Sequence, residues 1–276
     1  MTARKFLSGL IYTLSAAIGV LAFISPFFPA ARSAALGATQ GQGTGAMTMV
    51  TTTALVLLAL TALLVEMHGQ AMAAKTVATL GVLTAVASVL RFIEVAVPMP
   101  GGFSPIFAPI ILVGYVFGSR FGFLMGTFTL LVSALITGGV GPWLPYQMFT
   151  TGWVGMMAGW LGRLMGSQRR PSGRRLGGEI VVLSSFGALW GILYGVIINL
   201  YFWPFTAGPT IPGGPDVEWS QIVSQYAAFY LSTSLVWDLM RALGNATLIA
   251  ALGAPTIRSL RRFRRRFHFT VESPHA

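Results

Sequence analysis

The stretch LSTSLVWDLMRALGNATLIAALG, residues 231–253, decides what kind of protein this is. Almost all of it is apolar enough for a membrane-spanning helix, yet Asp238, Arg241 and Asn245 interrupt it. Their spacing places the three side chains along one stripe of a helix. Because a charge at the bilayer centre costs at least ~2.5–3.5 kcal/mol on insertion scales, this stripe is expected to face the interior of a helical bundle.

The composition of the whole chain agrees with a membrane protein. Of its 276 residues, 54% are hydrophobic and only 9% are charged, whereas soluble domains carry about 25% charged residues. The chain is therefore expected to be an all-α integral membrane protein. It has no cysteine, which excludes disulfides and thiolate metal sites.

Hydrophobic stretches near the length of a bilayer crossing recur along the chain. They predict eight transmembrane helices, at residues 6–28, 49–66, 76–97, 104–118, 121–137, 148–164, 180–203 and 222–252. The fourth is short, so it is expected to be tilted or partly re-entrant. The last is longer than a bilayer is thick, so it is expected to tilt or to project into water.

The basic residues mark one side of this membrane topology. Fifteen of the eighteen lysines and arginines fall at same-side ends of the predicted spans: Arg4, Lys5, Lys75, Arg120, Arg163, Arg169, Arg170, Arg174, Arg175, Arg258, Arg261, Arg262, Arg264, Arg265 and Arg266. The positive-inside rule then predicts a multi-pass protein of the cytoplasmic membrane with both termini in the cytoplasm. Topology and anionic lipid explain the basic tail without nucleic acid.

The first predicted span has an alternative interpretation. A basic start, an apolar run and small residues near position 30 also fit a signal peptide. The apolar run is longer than a usual signal core, so a retained helix is favoured.

Three predicted external loops combine glycine and proline with aromatic residues. They cover residues 98–103, 138–147 and 204–221, and a fourth connection, residues 29–48, has the composition of a flexible linker. These three loops carry Phe103, Trp143, Tyr146 and Trp219, and Trp203 directly precedes the third loop. These residues fit either an interfacial aromatic belt or a lid over an outward-facing pocket for a planar ligand.

Motifs for catalysis are missing from the sequence. It has no H-E-x-x-H, no G-x-S-x-G and no G-x-x-x-x-G-K-[ST]. Its three histidines fall in predicted cytoplasmic loops or the tail, so no histidine pair is expected to bind metal within the spans. We therefore predict that the chain is not an enzyme, binds no catalytic cofactor or metal, and depends on other chains for any ATP hydrolysis.

Two further features lie on the third predicted span. Ala74, Ala78, Gly81 and Ala85 form a stripe of small residues on one helical face. Such a stripe allows close helix packing, either within this protein or against a second membrane protein. Nearer the external end, Arg91 and Glu94 lie three residues apart. Together with Asp238 and Arg241 they sum to zero charge, which suits a polar network shared by two helices, with a direct Arg91–Asp238 contact left open.

From about residue 71 to residue 267 the chain resembles the substrate-binding S components of energy-coupling factor (ECF) vitamin transporters. The stretches that carry the resemblance include TLGVLTAVASVLRFIEV, GGVGPWLPYQMFTTGWVG, WGILYGVIINLYFWPF and SLVWDLMRALGNATLIAALG. The resemblance implies a six-helix core at 71–267, preceded by two extra helices in 1–70 and followed by a cytoplasmic tail at 268–276.

The resemblance also implies a function and its partners. S components bind a vitamin from outside and associate with a transmembrane coupling protein, the T component, and two ATPase subunits. An Ala-x-x-x-Ala-like motif on the first core helix contacts the coupling protein, which here matches Ala74 and Ala78, with Gly81 and Ala85 continuing the stripe. The ligand lies under the external loops, which implies these substrate-binding residues: Arg91, Glu94, Phe103, Trp143, Tyr146, Gln147, Trp153, Asn199, Trp203, Trp219 and Trp237.

Several questions stay open at this point. Asp238, Arg241 and Asn245 either fix helix register, the favoured reading, or contact ligand or signal to the coupling protein. A cobalamin-like corrinoid is the favoured ligand, with riboflavin or another vitamin as the alternative. The rival functions are an ion-coupled secondary transporter that acts alone and a membrane assembly protein without a ligand.

Overall fold

The computed structural model describes residues 73–97, 103–141, 143–166, 173–206 and 219–265, together with Thr13, Ala17 and Leu57. The predicted spans at 6–28 and 49–66 and the predicted tail at 268–276 lie outside the described residues apart from those three. Seven helices run through the described ranges: α1 (Ala73–Ala96), α2 (Phe107–Phe117), α3 (Ser119–Thr137), α4 (Leu144–Leu164), α5 (Gly173–Thr206), α6 (Trp219–Thr233) and α7 (Leu235–Arg265).

Four segments of these helices are long and apolar enough to cross a membrane. They are Lys75–Ala96 in α1, Ser119–Thr137 in α3, Leu176–Trp203 in α5 and Leu235–Arg264 in α7. Helix α2 is apolar but has only 11 residues. The described residues therefore establish an all-helical membrane protein, while the count of eight spans stays a prediction.

The prediction of one continuous helix over residues 222–252 is wrong. Helix α6 ends at Thr233, α7 begins at Leu235, and Ser234 forms a turn between them. The hydroxyls of Ser232 and Thr233 donate to the carbonyls of Ala228 and Phe229, at 2.8 and 2.7 Å. Such local hydrogen bonds compete with the helical ladder, so the Ser-Thr-Ser cluster favours an interruption here.

Glycines bring α2, α3 and α4 into backbone contact. A Cβ atom on Gly155 of α4 would collide with the backbone of Gly122 on α3, and one on Gly114 of α2 would collide with the carbonyl of Gly155. Small residues are the usual means by which helices approach closely in a membrane. These three helices form the centre of the bundle, and most residues of α2 are buried in it.

A second glycine seam joins α5 to α7. Gly187, Gly191 and Gly195 follow one another at every fourth position of α5. Added Cβ atoms there would meet the side chains of Ile249 and Asn245, the backbone of Ala242 and the carboxylate of Asp238, respectively. The seam therefore receives the polar stripe of α7 at van der Waals distance.

Apart from Arg91 and Arg241, the arginines whose side chains are described lie together at one end of the bundle, which we call the basic end. There the side chain of Arg261 on α7 donates to Glu179 of α5 at 2.8 Å. Arg264 donates to the carbonyl of Val116, at 2.5 Å, in the last turn of α2, where helical carbonyls lack partners within their own helix. At the opposite end α1, α3 and α5 end and α2, α4 and α6 begin.

Candidate functional site

The polar stripe of α7 lies inside the bundle, as its cost in lipid predicts. Asp238 is 2% exposed and pairs with Arg241 one turn further along α7. Arg241 also donates to the carbonyl of Gly191 at 3.3 Å, and its guanidinium lies 5.2 Å from the ring centroid of Tyr194. Asn245 donates to the carbonyl of Gly187 at 3.1 Å. These bonds to the glycine seam favour a role in fixing the register of α7 against α5.

A second ion pair lies on α1, nearer the end of the bundle opposite the basic end. Arg91 pairs with Glu94, and the Ser104 hydroxyl donates to the other carboxylate oxygen of Glu94 at 2.8 Å. Arg241 also interacts electrostatically with Glu94. Each ion pair is formed within its own helix, so Arg91 pairs with Glu94 and not with Asp238, the contact that the sequence left open.

Two aromatic pairs, which we call the aromatic region, lie at the end opposite the basic end, one between α4 and α5 and the other between α5 and α6. The ring centroids of Tyr146 and Tyr201 lie 4.2 Å apart, and those of Trp203 and Tyr226 lie 5.4 Å apart. Deeper on α4, Trp153 lies 6.2 Å from Phe149. Of the predicted residues, Tyr146 and Trp153 thus pack against one buried apolar core, whereas Trp203 contacts α6.

The other predicted ligand residues are more dispersed. The ring of Phe103 packs against Gly244 of α7, one turn from Arg241. Trp143 is 38% exposed at the start of α4, Gln147 is half-buried one turn further on, and Asn199 is half-buried on α5. Trp237 is 53% exposed on α7, so the structure does not bring it to the others. Trp219 begins α6, and its side chain lies outside the description.

Four aromatic residues of this region were not singled out from the sequence. Tyr201 and Tyr226 contact predicted residues, and Phe107 and Tyr194 form an edge-to-face pair with centroids 4.7 Å apart. The sequence does contain a pattern that could have identified the α5 residues. Large apolar residues recur at helical spacing on one face of α5, and all of them are buried: Trp190, Tyr194, Ile198 and Tyr201. Among the described residues, no group of His, Asp and Glu could hold a metal ion.

The small-residue stripe lies on the outer surface of α1. Ala78, Gly81 and Ala85 are exposed, and no atom lies near the position of a Cβ on Gly81. The opposite face of α1, with Leu80, Ala87 and Ser88, is buried. Ala74 belongs to the same helix, but its side chain lies outside the description. Within the described residues the stripe therefore stands open to a neighbour in the membrane.

Comparison with known proteins identifies the family to which the chain belongs. A family model described as "ECF transporter, substrate-specific component" matches residues 75–253, which is more than half of the chain. No curated protein and no solved structure matches the sequence. The matched range begins in α1 and ends in α7, so it takes in both ion pairs, the aromatic region and most of the small-residue stripe. The resemblance seen in the sequence is confirmed: the chain belongs to the family of ECF transporter substrate-specific components.

Proposed function

We propose that this chain binds a vitamin or cofactor precursor at the end of the bundle opposite the basic end. It would then associate with partner subunits for ATP-driven uptake of that ligand. The favoured ligand is a cobalamin-like corrinoid, with riboflavin or another vitamin as the alternative. The partners are a transmembrane coupling protein and two ATPase subunits. The basic end faces the cytoplasm in this proposal.

One observation carries the ligand-binding part. Two aromatic pairs, Tyr146–Tyr201 and Trp203–Tyr226, lie at the end of the bundle that also holds the Arg91–Glu94 pair. Rings offer flat apolar contact together with polar tips, and the paired charges add hydrogen-bonding groups without net charge. This combination suits a bulky, planar and largely neutral molecule better than a small anion.

The exposed face of α1 supports the docking part. Ala78, Gly81 and Ala85 would allow a partner helix to approach the backbone of α1 closely. The sequence contains no phosphate-binding loop for ATP, which agrees with ATPases on separate chains.

A ligand screen tests the proposal directly. The purified chain is heated in detergent with a panel of vitamins, and any coloured molecule that co-purifies is recorded. We expect one member, a corrinoid by preference, to raise the apparent melting temperature because it binds the folded state alone. If no vitamin or precursor in the panel shifts the transition, the binding function is wrong and the assembly-protein alternative gains support.

A further inference from the structure

An apolar groove runs between α1 and α7 at the basic end. Its volume is about 760 Å³, and its walls include Lys75, Ala78 and Val82 from α1 and Ser259, Leu260 and Phe263 from α7. The side chains of Val82 and Phe263 are 63% and 46% exposed. In a bilayer an apolar surface of this kind faces either lipid or another helix, and the small side chain of Ala78 in its wall allows a helix to approach closely.

The length of chain before α1 points to the occupant. Only six residues, 67–72, separate the predicted span at 49–66 from the start of α1 at Ala73. Connections this short join helices that pack as antiparallel neighbours. A helix over that span would therefore end close to the first turns of α1, where Ala78 lines the groove.

The chemistry of the segment matches the groove. Residues 49–65 carry no charge, and 18 helical residues extend about 27 Å, long enough to follow the groove along α1. Glu66, the one carboxylate in residues 1–93, closes the segment. It would lie at the basic end, where Arg258 and Arg262 flank the groove on α7 and are exposed. We propose that residues 49–66 form a helix that occupies the groove between α1 and α7.

Occupation of the groove has a consequence for partner docking, and this consequence rests on the proposed function. Ala78 belongs both to the groove and to the small-residue stripe. The N-terminal segment and the coupling protein would therefore compete for Ala78, so that the segment has to leave the groove when the coupling protein docks.

Disulfide trapping tests the packing, because the natural chain has no cysteine. Ala78→Cys is combined with a cysteine at each position from 59 to 62, which samples one helical turn. The full chain is oxidised in its native membrane, and linked peptides are measured by mass spectrometry. We expect one or two of these positions to cross-link about ten-fold more than the others, since a disulfide requires Cα atoms within about 7 Å.

The control replaces Ala78→Cys by Val181→Cys, which is 66% exposed on α5 near the basic end. It is expected to give no cross-link within one chain. Three results would overturn the proposal. The segment could link equally to Ala78→Cys and to Val181→Cys, it could link only between two chains, or it could form no link to Ala78→Cys. The last two results assign the groove to a second copy and to lipid, respectively.

The competition between the N-terminal segment and the coupling protein for Ala78 is tested with the cysteine pair that cross-links most. The coupling protein is present in this experiment. Oxidation should reduce the amount of coupling protein that co-purifies, and a reductant should restore it. If the cross-link forms but co-purification is unchanged, docking at Ala78 is wrong while the packing stands. If Ala78→Leu blocks docking but no cross-link forms, the packing is wrong and the proposed function stands.

Discussion

At the residue scale, the Asp238–Arg241 pair depends on both members. Asp238 is almost fully buried and Arg241 supplies its charged partner, while Arg241 is held by Gly191 and Tyr194. We expect Arg241→Met to lower the free energy of unfolding by about 3–5 kcal/mol, because it leaves a buried carboxylate unpaired. Asp238→Asn combined with Arg241→Met should recover most of this loss, measured by unfolding in detergent.

Arg91→Met provides the comparison for that experiment. The side chain of Arg91 is 28% exposed, against 17% for Arg241. Replacing Arg91 should therefore lower the free energy of unfolding less, because the Arg91–Glu94 pair is less deeply buried than the Asp238–Arg241 pair. A double variant at 238 and 241 that is as unstable as Arg241→Met alone would contradict the pairing argument.

A second residue-scale prediction concerns the glycine seam. A methyl group at Gly191 would collide with the backbone of Ala242, whereas Gly177 on the same helix has open space around it. Gly191→Ala should lower the apparent melting temperature, because α5 and α7 must separate. Gly177→Ala should leave it unchanged or raise it slightly, since alanine in a helix is favoured over glycine by roughly 0.5–1 kcal/mol. Equal effects of the two substitutions would show that close packing of α7 on the glycine seam does not stabilise the fold.

The third residue-scale prediction concerns ligand binding. Trp143→Ala should weaken binding of the vitamin found in the screen by about ten-fold, equivalent to about 1.4 kcal/mol, which is within the range for a lost aromatic contact. Trp143 is 38% exposed, so the fold should tolerate the change. Trp160→Ala, at the basic end of the same helix and 46% exposed, is the matched control. Binding is measured by titration, and equal affinities for the two variants would remove Trp143 from the site.

At the scale of the element, α1 has two different faces. One face is buried, and its Ser88 hydroxyl donates to the carbonyl of Thr129 on α3 at 3.3 Å. The other carries the exposed small residues. A substitution on the exposed face should therefore change association with a partner without changing the fold.

Ala78→Leu is the corresponding prediction. The larger side chain keeps α1 and the coupling protein apart, so uptake should fall to background while vitamin affinity stays within about two-fold, a difference of about 0.4 kcal/mol. Val95→Leu, on the same helix near the other end and 50% exposed, is the control and should transport normally. Normal uptake by the Ala78→Leu variant would show that the docking assignment is wrong.

At the scale of the whole molecule, the chain is expected to recognise a ligand without powering its transport. It contains no phosphate-binding loop for ATP. In vesicles that contain only this chain, we expect bound vitamin but no accumulation, measured with a radiolabelled ligand. Adding the coupling protein and the ATPases with ATP should start accumulation. Uptake by the chain alone that an ionophore abolishes would instead establish the ion-coupled alternative.

The sequence by itself determined the class of the protein and much about its helices. Apolar runs predicted a helical membrane protein because a backbone in lipid must satisfy its own hydrogen bonds. The three-and-four spacing of Asp238, Arg241 and Asn245 predicted a shared interior face, and the structure places all three against α5. The break at Ser234 was missed because hydropathy does not register side chains that hydrogen-bond to their own backbone.

Only the tertiary structure decided which residues meet. The bond from Arg241 to Gly191, the contact of Asp238 with Gly195 and the packing of Tyr146 against Tyr201 all depend on how the helices are placed and rotated about one another. The spacing of residues along one helix specifies a face, but the partner of that face comes from distant parts of the chain. Close packing between glycines sets that choice, because a single Cβ atom is enough to keep two backbones apart.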